Sequence, residues 1–116
     1  LYGSQHPLVS VGADGELPST QAEYVVVGHC CESGDLLTPA PDEPETIAER
    51  LMGDVSIGDY VVIEGSGAYC AGMSSKNYNS FPEAPEVMKR VGGDFALIRR
   101  KQTLDQILVN EVEYTA

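Results

Sequence analysis

The run Ala22-Glu23-Tyr24-Val25-Val26-Val27-Gly28 is dominated by side chains that fit a pleated, half-buried surface, and it is read as a core strand. It leads straight into two adjacent cysteines, Cys30 and Cys31. Shorter runs of the same character occupy residues 7–11, 60–64, 86–89 and 94–99. Asp14-Gly15, Gly58-Asp59 and Gly92-Gly93 supply turns beside them. Residues 38–45 hold three prolines and three acids, a composition expected to form a surface loop. A helical turn is expected over residues 47–52, and a short helix over 68–74 after Gly65-Ser66-Gly67 breaks the preceding strand. Residues 78–85 read as irregular, with Asn and Pro as breakers. Thr103 with Gln106 fits a capping box, and Leu104, Ile107 and Leu108 then share one helical face, which predicts a helix over 103–110. The expectation is a mainly β domain: a small, mostly antiparallel barrel or sandwich with short helices.

A length of 116 residues fits one domain with one modest core, spanning 1–116. Eighteen acidic against seven basic residues give a formal charge of -11, which repels nucleic acid and anionic membrane surfaces. No apolar run is long enough to span a bilayer, and no secretory signal is visible. The chain lacks an initiator Met and opens on Leu1-Tyr2-Gly3, so it reads as an excised piece of a longer polypeptide. Three cysteines, an odd number without Cys-x-x-Cys spacing, argue against a disulfide framework and a structural zinc site. A reducing cytoplasm and no metal are expected.

Two stretches carry more chemistry than connecting loops need. In the first, Cys31-Glu32-Ser33-Gly34-Asp35, the thiol is a nucleophile, a general acid or a core filler. Glu32 beside it disfavours a thiolate, because like charges oppose each other. Glu32 itself suits an ammonium group if it faces a cleft and is a surface acid if it does not. Asp35 fits the cap of the turn that Gly34 makes. The second stretch is Gly67-Ala68-Tyr69. Closely spaced glycines before a helical turn expose backbone N–H groups that hold phosphate, with the Tyr69 phenol as a further donor, or else they make a tight turn that packs Tyr69 on the core. The Gly-x-Gly-x-x-Gly and Walker patterns are both missing. His29, two residues before Cys31, makes a Cys-His pair conceivable, but no orienting Asn or Asp is obvious. Asn77-Tyr78-Asn79 lines a ligand or satisfies its own irregular backbone.

On these residues the chain resembles the C-terminal domain of the diaminopimelate decarboxylases, in the pyridoxal-phosphate-dependent family that also includes ornithine and arginine decarboxylases. The resemblance rests on Cys31-Glu32-Ser33-Gly34-Asp35 and on Gly67-Ala68-Tyr69 with Met73-Ser74-Ser75, Asn77-Tyr78-Asn79 and Pro82. Leu1-Tyr2-Gly3 with His6-Pro7 is similar to the family's entry into the domain. Ile98-Arg99-Arg100-Lys101 with Thr103 and Leu104 is similar to its closing strand and helix. Lys76 stands as an extra residue, Phe81 where arginine is frequent, and His29-Cys30 in place of a more apolar or proline-containing approach.

The resemblance implies the small β domain of an alanine-racemase-like fold. Its partners would be an N-terminal (β/α)8 barrel of the same protein, which needs about 250 residues of its own, and the second subunit of a homodimer. Pyridoxal 5'-phosphate would be held mostly by that N-terminal barrel. It further implies an active site shared between subunits, in which Cys31 enters the site of the other subunit and donates a proton at the substrate Cα, Glu32 crosses the same interface and binds the distal ammonium of meso-2,6-diaminopimelate, and Tyr69 reaches the cofactor phosphate and substrate. Tyr78 would wall the cleft, and Ser33, Gly34, Asp35 and Gly67 would shape the loops. The implied reaction gives L-lysine and CO2 in the intact cytoplasmic enzyme, the fragment alone being inactive. An ornithine/arginine or carboxynorspermidine-type decarboxylase, a noncatalytic β-barrel binding module and a Cys-His hydrolase are the alternatives; Glu rather than Asp after Cys31 favours the diaminopimelate branch.

Overall fold

The computed structural model of the chain describes residues 3–115. The Leu1-Tyr2 part of the entry segment lies outside them. The chain divides after Met73 into two compact units.

In the first unit, strands β1 (Leu8–Val11), β2 (Gln21–Tyr24), β3 (Pro39–Ala40), β4 (Glu43–Ile47), β5 (Arg50–Gly53) and β6 (Tyr60–Ile63) form three antiparallel pairs: β1 with β6, β2 with β5, and β3 with β4. The register sets Val9 opposite Val62 and Ala22 opposite Met52. The first two pairs meet where Ser10 Oγ donates to the Gly53 carbonyl at 2.8 Å, and Ser10 and Met52 are both buried there. Thr38 is fully buried; the Val26 N–H donates to its Oγ1 at 3.0 Å, and the Leu37 and Thr38 N–H groups donate to the Val26 carbonyl.

Past β2 the chain continues as a ragged hairpin arm. Val27 bridges Leu36, and the Gly28 N–H donates to the Asp35 carbonyl at 2.8 Å. Exposure alternates residue by residue from 21 to 30, as the period of a half-buried strand demands. The expected strand over 22–28 is therefore extended throughout, but its regular ladder stops at Tyr24, because the neighbour beyond is a hairpin arm and not β5.

Two expectations fail in this unit. Residues 38–45 are not a loop but the β3–β4 hairpin, whose register shifts between Pro39 and Ala40. Proline is tolerated there because the pair is two-stranded and bulged, and so presents edges. Residues 47–52 run from the end of β4 across a two-residue link into β5 and form no helical turn: Ile47 closes β4 and Leu51 pairs with Glu23, so cross-strand pairing overrides local propensity. Beyond β6, Gly65 adopts a left-handed φ of 65°. Residues 68–74 then form turns and no helix.

The second unit is built on the antiparallel hairpin of β7 (Glu86–Lys89) and β8 (Phe95–Arg99). Its turn closes by Arg90 N–H to the Asp94 carbonyl and Gly93 N–H to the Arg90 carbonyl. Arg99 bridges Glu83 at 2.9 Å and Glu86 at 3.2 Å. Gln102 ties the irregular segment to the chain beyond β8: its Oε1 accepts from the Glu83 N–H at 2.9 Å and from Asn77 Nδ2. The helix α1 (Leu104–Ile107) is shorter than expected, but it carries the full capping box, with Thr103 Oγ1 accepting from Gln106 N–H and Gln106 Oε1 accepting from Thr103 N–H.

The fold is mainly β with few helices. Among the described residues the strands pair as four two-stranded ladders.

Candidate active site

The cysteine motif forms the tip of the hairpin arm. Gly28 and Asp35 face each other at its base, and residues 29–34 make the loop. Two short backbone bonds fold that loop: Glu32 N–H to the Cys30 carbonyl at 2.8 Å, and Asp35 N–H to the Glu32 carbonyl at 3.1 Å. The first is a three-residue turn centred on Cys31, which presents the Cys31 side chain at the bend. Cys31 and Glu32 are exposed, and Cys30 is half-buried. No disulfide engages any of the three thiols.

Glu32 curls over its own loop. Its Oε1 accepts from the Gly34 N–H at 3.0 Å and lies 3.5 Å from Ser33 Oγ. Asp35 acts at the base, where its Oδ2 accepts from the Cys30 N–H at 2.8 Å. Burial, and then the Asp35 carboxylate, push the Cys30 thiol above its ordinary value. The His29 ring sits beside Cys30, with Nδ1 3.7 Å from its sulfur.

The second motif lies just past β6. Ser66 Oγ donates to the Ile63 carbonyl at 3.1 Å, and the Met73 N–H donates to the Tyr69 carbonyl at 2.8 Å. Tyr69 is highly exposed and adopts φ 64°. For a bulky aromatic residue that left-handed conformation is a genuine outlier, of the kind that clusters at functional sites. Gly67 has open space where a Cβ would stand, so the sharp turn is made by Gly65.

The two motifs border one cavity of about 460 Å³ in the first unit only through neighbouring residues; Cys31, Glu32, Gly67 and Tyr69 do not line it. Gly34 from the cysteine loop lines it, as do Ser66 and Cys70 on either side of Gly67-Ala68-Tyr69. His6, Leu36 and Ile63 complete much of its wall. Tyr78 belongs to the second unit, in a 3-10 turn (Tyr78–Ser80) where Asn77, Asn79 and Ser80 all have positive φ.

Sequence reasoning missed Gly28 and Thr38. A Cβ on Gly28 would fall 1.9 Å from Asp35 Oδ2, so the glycine is required by the carboxylate packed on it. A glycine ending a strong strand was the available signal. Thr38 has none, because its partner Val26 is defined only by the hairpin. Among the described residues no group of three or more His, Cys, Asp or Glu side chains is placed to hold a metal ion. Among the described residues no helix is long and apolar enough to cross a membrane.

The family model for the pyridoxal-dependent decarboxylase C-terminal sheet domain matches residues 1–67. Diaminopimelate decarboxylase of Escherichia coli strain K12 is 42% identical over 97% of this chain, which covers 26% of that protein. The Streptomyces coelicolor diaminopimelate decarboxylase is 40% identical over 97% of the chain and is covered to 25%. A crystal structure of diaminopimelate decarboxylase superimposes with a TM-score of 0.82 at 42% identity, over 94% of this chain and 25% of the other. The chain thus spans about a quarter of the length of these relatives. Both motifs lie within the aligned span, and the strand content agrees with a sheet domain. The chain belongs to the pyridoxal-dependent decarboxylases and is a C-terminal sheet domain of that family.

Proposed function

We propose that this chain is the sheet domain of a diaminopimelate decarboxylase, working in a homodimer that converts meso-2,6-diaminopimelate to L-lysine and CO2. One observation carries the reading: Gly34 from the cysteine loop and Ser66 and Cys70 on either side of the tyrosine turn, distant in sequence, border one cavity. The identity of 42% to decarboxylases of that name supports the substrate. In the complete protomer the strand pairs would form a small antiparallel barrel next to an N-terminal (β/α)8 barrel.

Pyridoxal phosphate, when bound, supplies the electron sink that takes the pair left at Cα as the bond to CO2 breaks. The Tyr69 phenol, exposed on a left-handed backbone, would donate a hydrogen bond to the phosphate; most other contacts would come from the N-terminal domain. Cys31 sits at the bend of an exposed loop and would deliver its proton to Cα, forming a C–H bond where the carboxylate left. Both loop hydrogen bonds of Glu32 fall on Oε1, so Oε2 is the oxygen that would meet the distal ammonium. Ser33, Gly34 and Asp35 hold the loop in shape, and Tyr78 would wall the cleft.

The test uses the intact enzyme with meso-diaminopimelate, following CO2 release and lysine formation. Glu32→Gln should raise KM about tenfold or more while cofactor absorbance is retained. Unchanged KM, or no lysine from the wild-type enzyme, would refute the assignment.

A further inference from the structure

We infer that Asp35 and Gly28 form a clamp that positions the Cys31 loop, Asp35 acting as a positioning residue through the Cys30 backbone. Three observations converge on it. Asp35 holds the loop twice, its carbonyl accepting from the Gly28 N–H and its Oδ2 from the Cys30 N–H, both at 2.8 Å. The three atoms nearest an added Cβ on Gly28 all belong to the Asp35 carboxylate, at 1.9 to 2.2 Å. The carboxylate therefore lies directly on the glycine backbone, a seat that no other residue leaves open. The clamped Cys30 carbonyl, in turn, accepts the Glu32 N–H that closes the bend around Cys31.

The chain of constraint runs from Gly28 to Asp35, to the Cys30 amide, to the bend that presents Cys31 and Glu32. A charged acceptor on a backbone N–H is roughly twice as strong as a neutral one, so a carboxylate suits the task better than an amide. Truncating Asp35 frees the Cys30 amide. A methyl on Gly28 has the same consequence by another route, because the carboxylate must leave its seat and the bond to Cys30 goes with it. Truncating Asp35 also removes the atoms with which that methyl collides, so the two substitutions should not add.

The catalytic consequence rests on the proposed role of Cys31; the clamp itself does not. Both are read in the intact enzyme, using Asp35→Ala, Asp35→Asn, Gly28→Ala and the Asp35→Ala/Gly28→Ala double variant. Hydrogen exchange over residues 28–35 should speed up about tenfold in either alanine variant and no further in the double. Asp35→Asn, which keeps a neutral acceptor, should recover much of the protection. kcat should fall about tenfold in the single alanine variants, again without adding, while cofactor absorbance stays at the wild-type level. Unchanged exchange in Asp35→Ala, or additive effects of the two alanine substitutions, overturns the clamp. If exchange behaves as stated but Cys31→Ala retains full turnover, the clamp stands and the proposed role of Cys31 falls.

Discussion

Tyr69 holds an unfavourable backbone conformation without the compensation of a buried side chain, and Cys31 sits exposed at a bend. Both side chains are exposed, and we read both as directed at a ligand. In the intact enzyme Cys31→Ala should lower kcat about a hundredfold, the usual worth of a positioned proton donor, with cofactor content unchanged. Steady-state rates together with the cofactor spectrum would show it. The thiol next to it behaves differently. Asp35 helps to raise the Cys30 value, so Asp35→Asn should make Cys30 react faster with a maleimide at neutral pH, as peptide mapping of the labelled protein would reveal. A third titration is structural. The Tyr24 hydroxyl donates to Asp54 Oδ1, which raises the phenol above its ordinary value of 10.0. A raised folded-state value stabilises the fold fully below pH 10 and is lost as the pH climbs through it. Phenolate absorbance should show one tyrosine titrating late, and Asp54→Asn should return it to the others.

Hairpins do the positioning. The cysteine motif is a hairpin tip, and its base is anchored one step further down by Thr38, whose hydroxyl takes the Val26 N–H in a fully buried site. Thr38→Val should cost about 1–3 kcal/mol by leaving that N–H unsatisfied, measured by urea unfolding of the intact protein. At the other end of the chain the capping box was legible in full from Thr103 and Gln106, because capping is local chemistry. Strands β1 and β6 were legible from their β-branched residues, and β7 and β8 from the Gly92-Gly93 turn signal between them. The β3–β4 hairpin and β5 were not. Pro39 and Pro44 read as loop residues, and only an edge position with a shifted register reconciles them with strand. Residues 47–52 lack β-branched residues after Ile47, and pairing with β2 decides their state. The motif residues were readable as chemistry, but the cavity that Gly34 shares with Ser66 and Cys70 was not, since no local signal links the cysteine loop to the turn after β6.

The molecule exposes more apolar surface than a self-sufficient domain does. Met52 is the one large apolar side chain that is buried among the described residues, while Leu51, Tyr60, Val87, Phe95 and Leu97 are all about 60% exposed or more. Within the β7–β8 hairpin, Val87 sits opposite Leu97, with Phe95 two residues along the same strand; an apolar patch of this kind marks a surface for a partner, and we propose that the rest of a full-length enzyme supplies it. On its own the chain should bind a dye of exposed apolar surface and release no CO2 from meso-diaminopimelate. The decisive measurement is subunit complementation in the intact enzyme. Subunits carrying Cys31→Ala are mixed with subunits whose cofactor-binding lysine in the N-terminal domain is replaced, and lysine formation is followed. If Cys31 serves the pocket of the opposite subunit, about a quarter of wild-type turnover should return, because half of the dimers are mixed and each has one complete site. No recovery from a mixture shown to exchange subunits would contradict the sharing of the site.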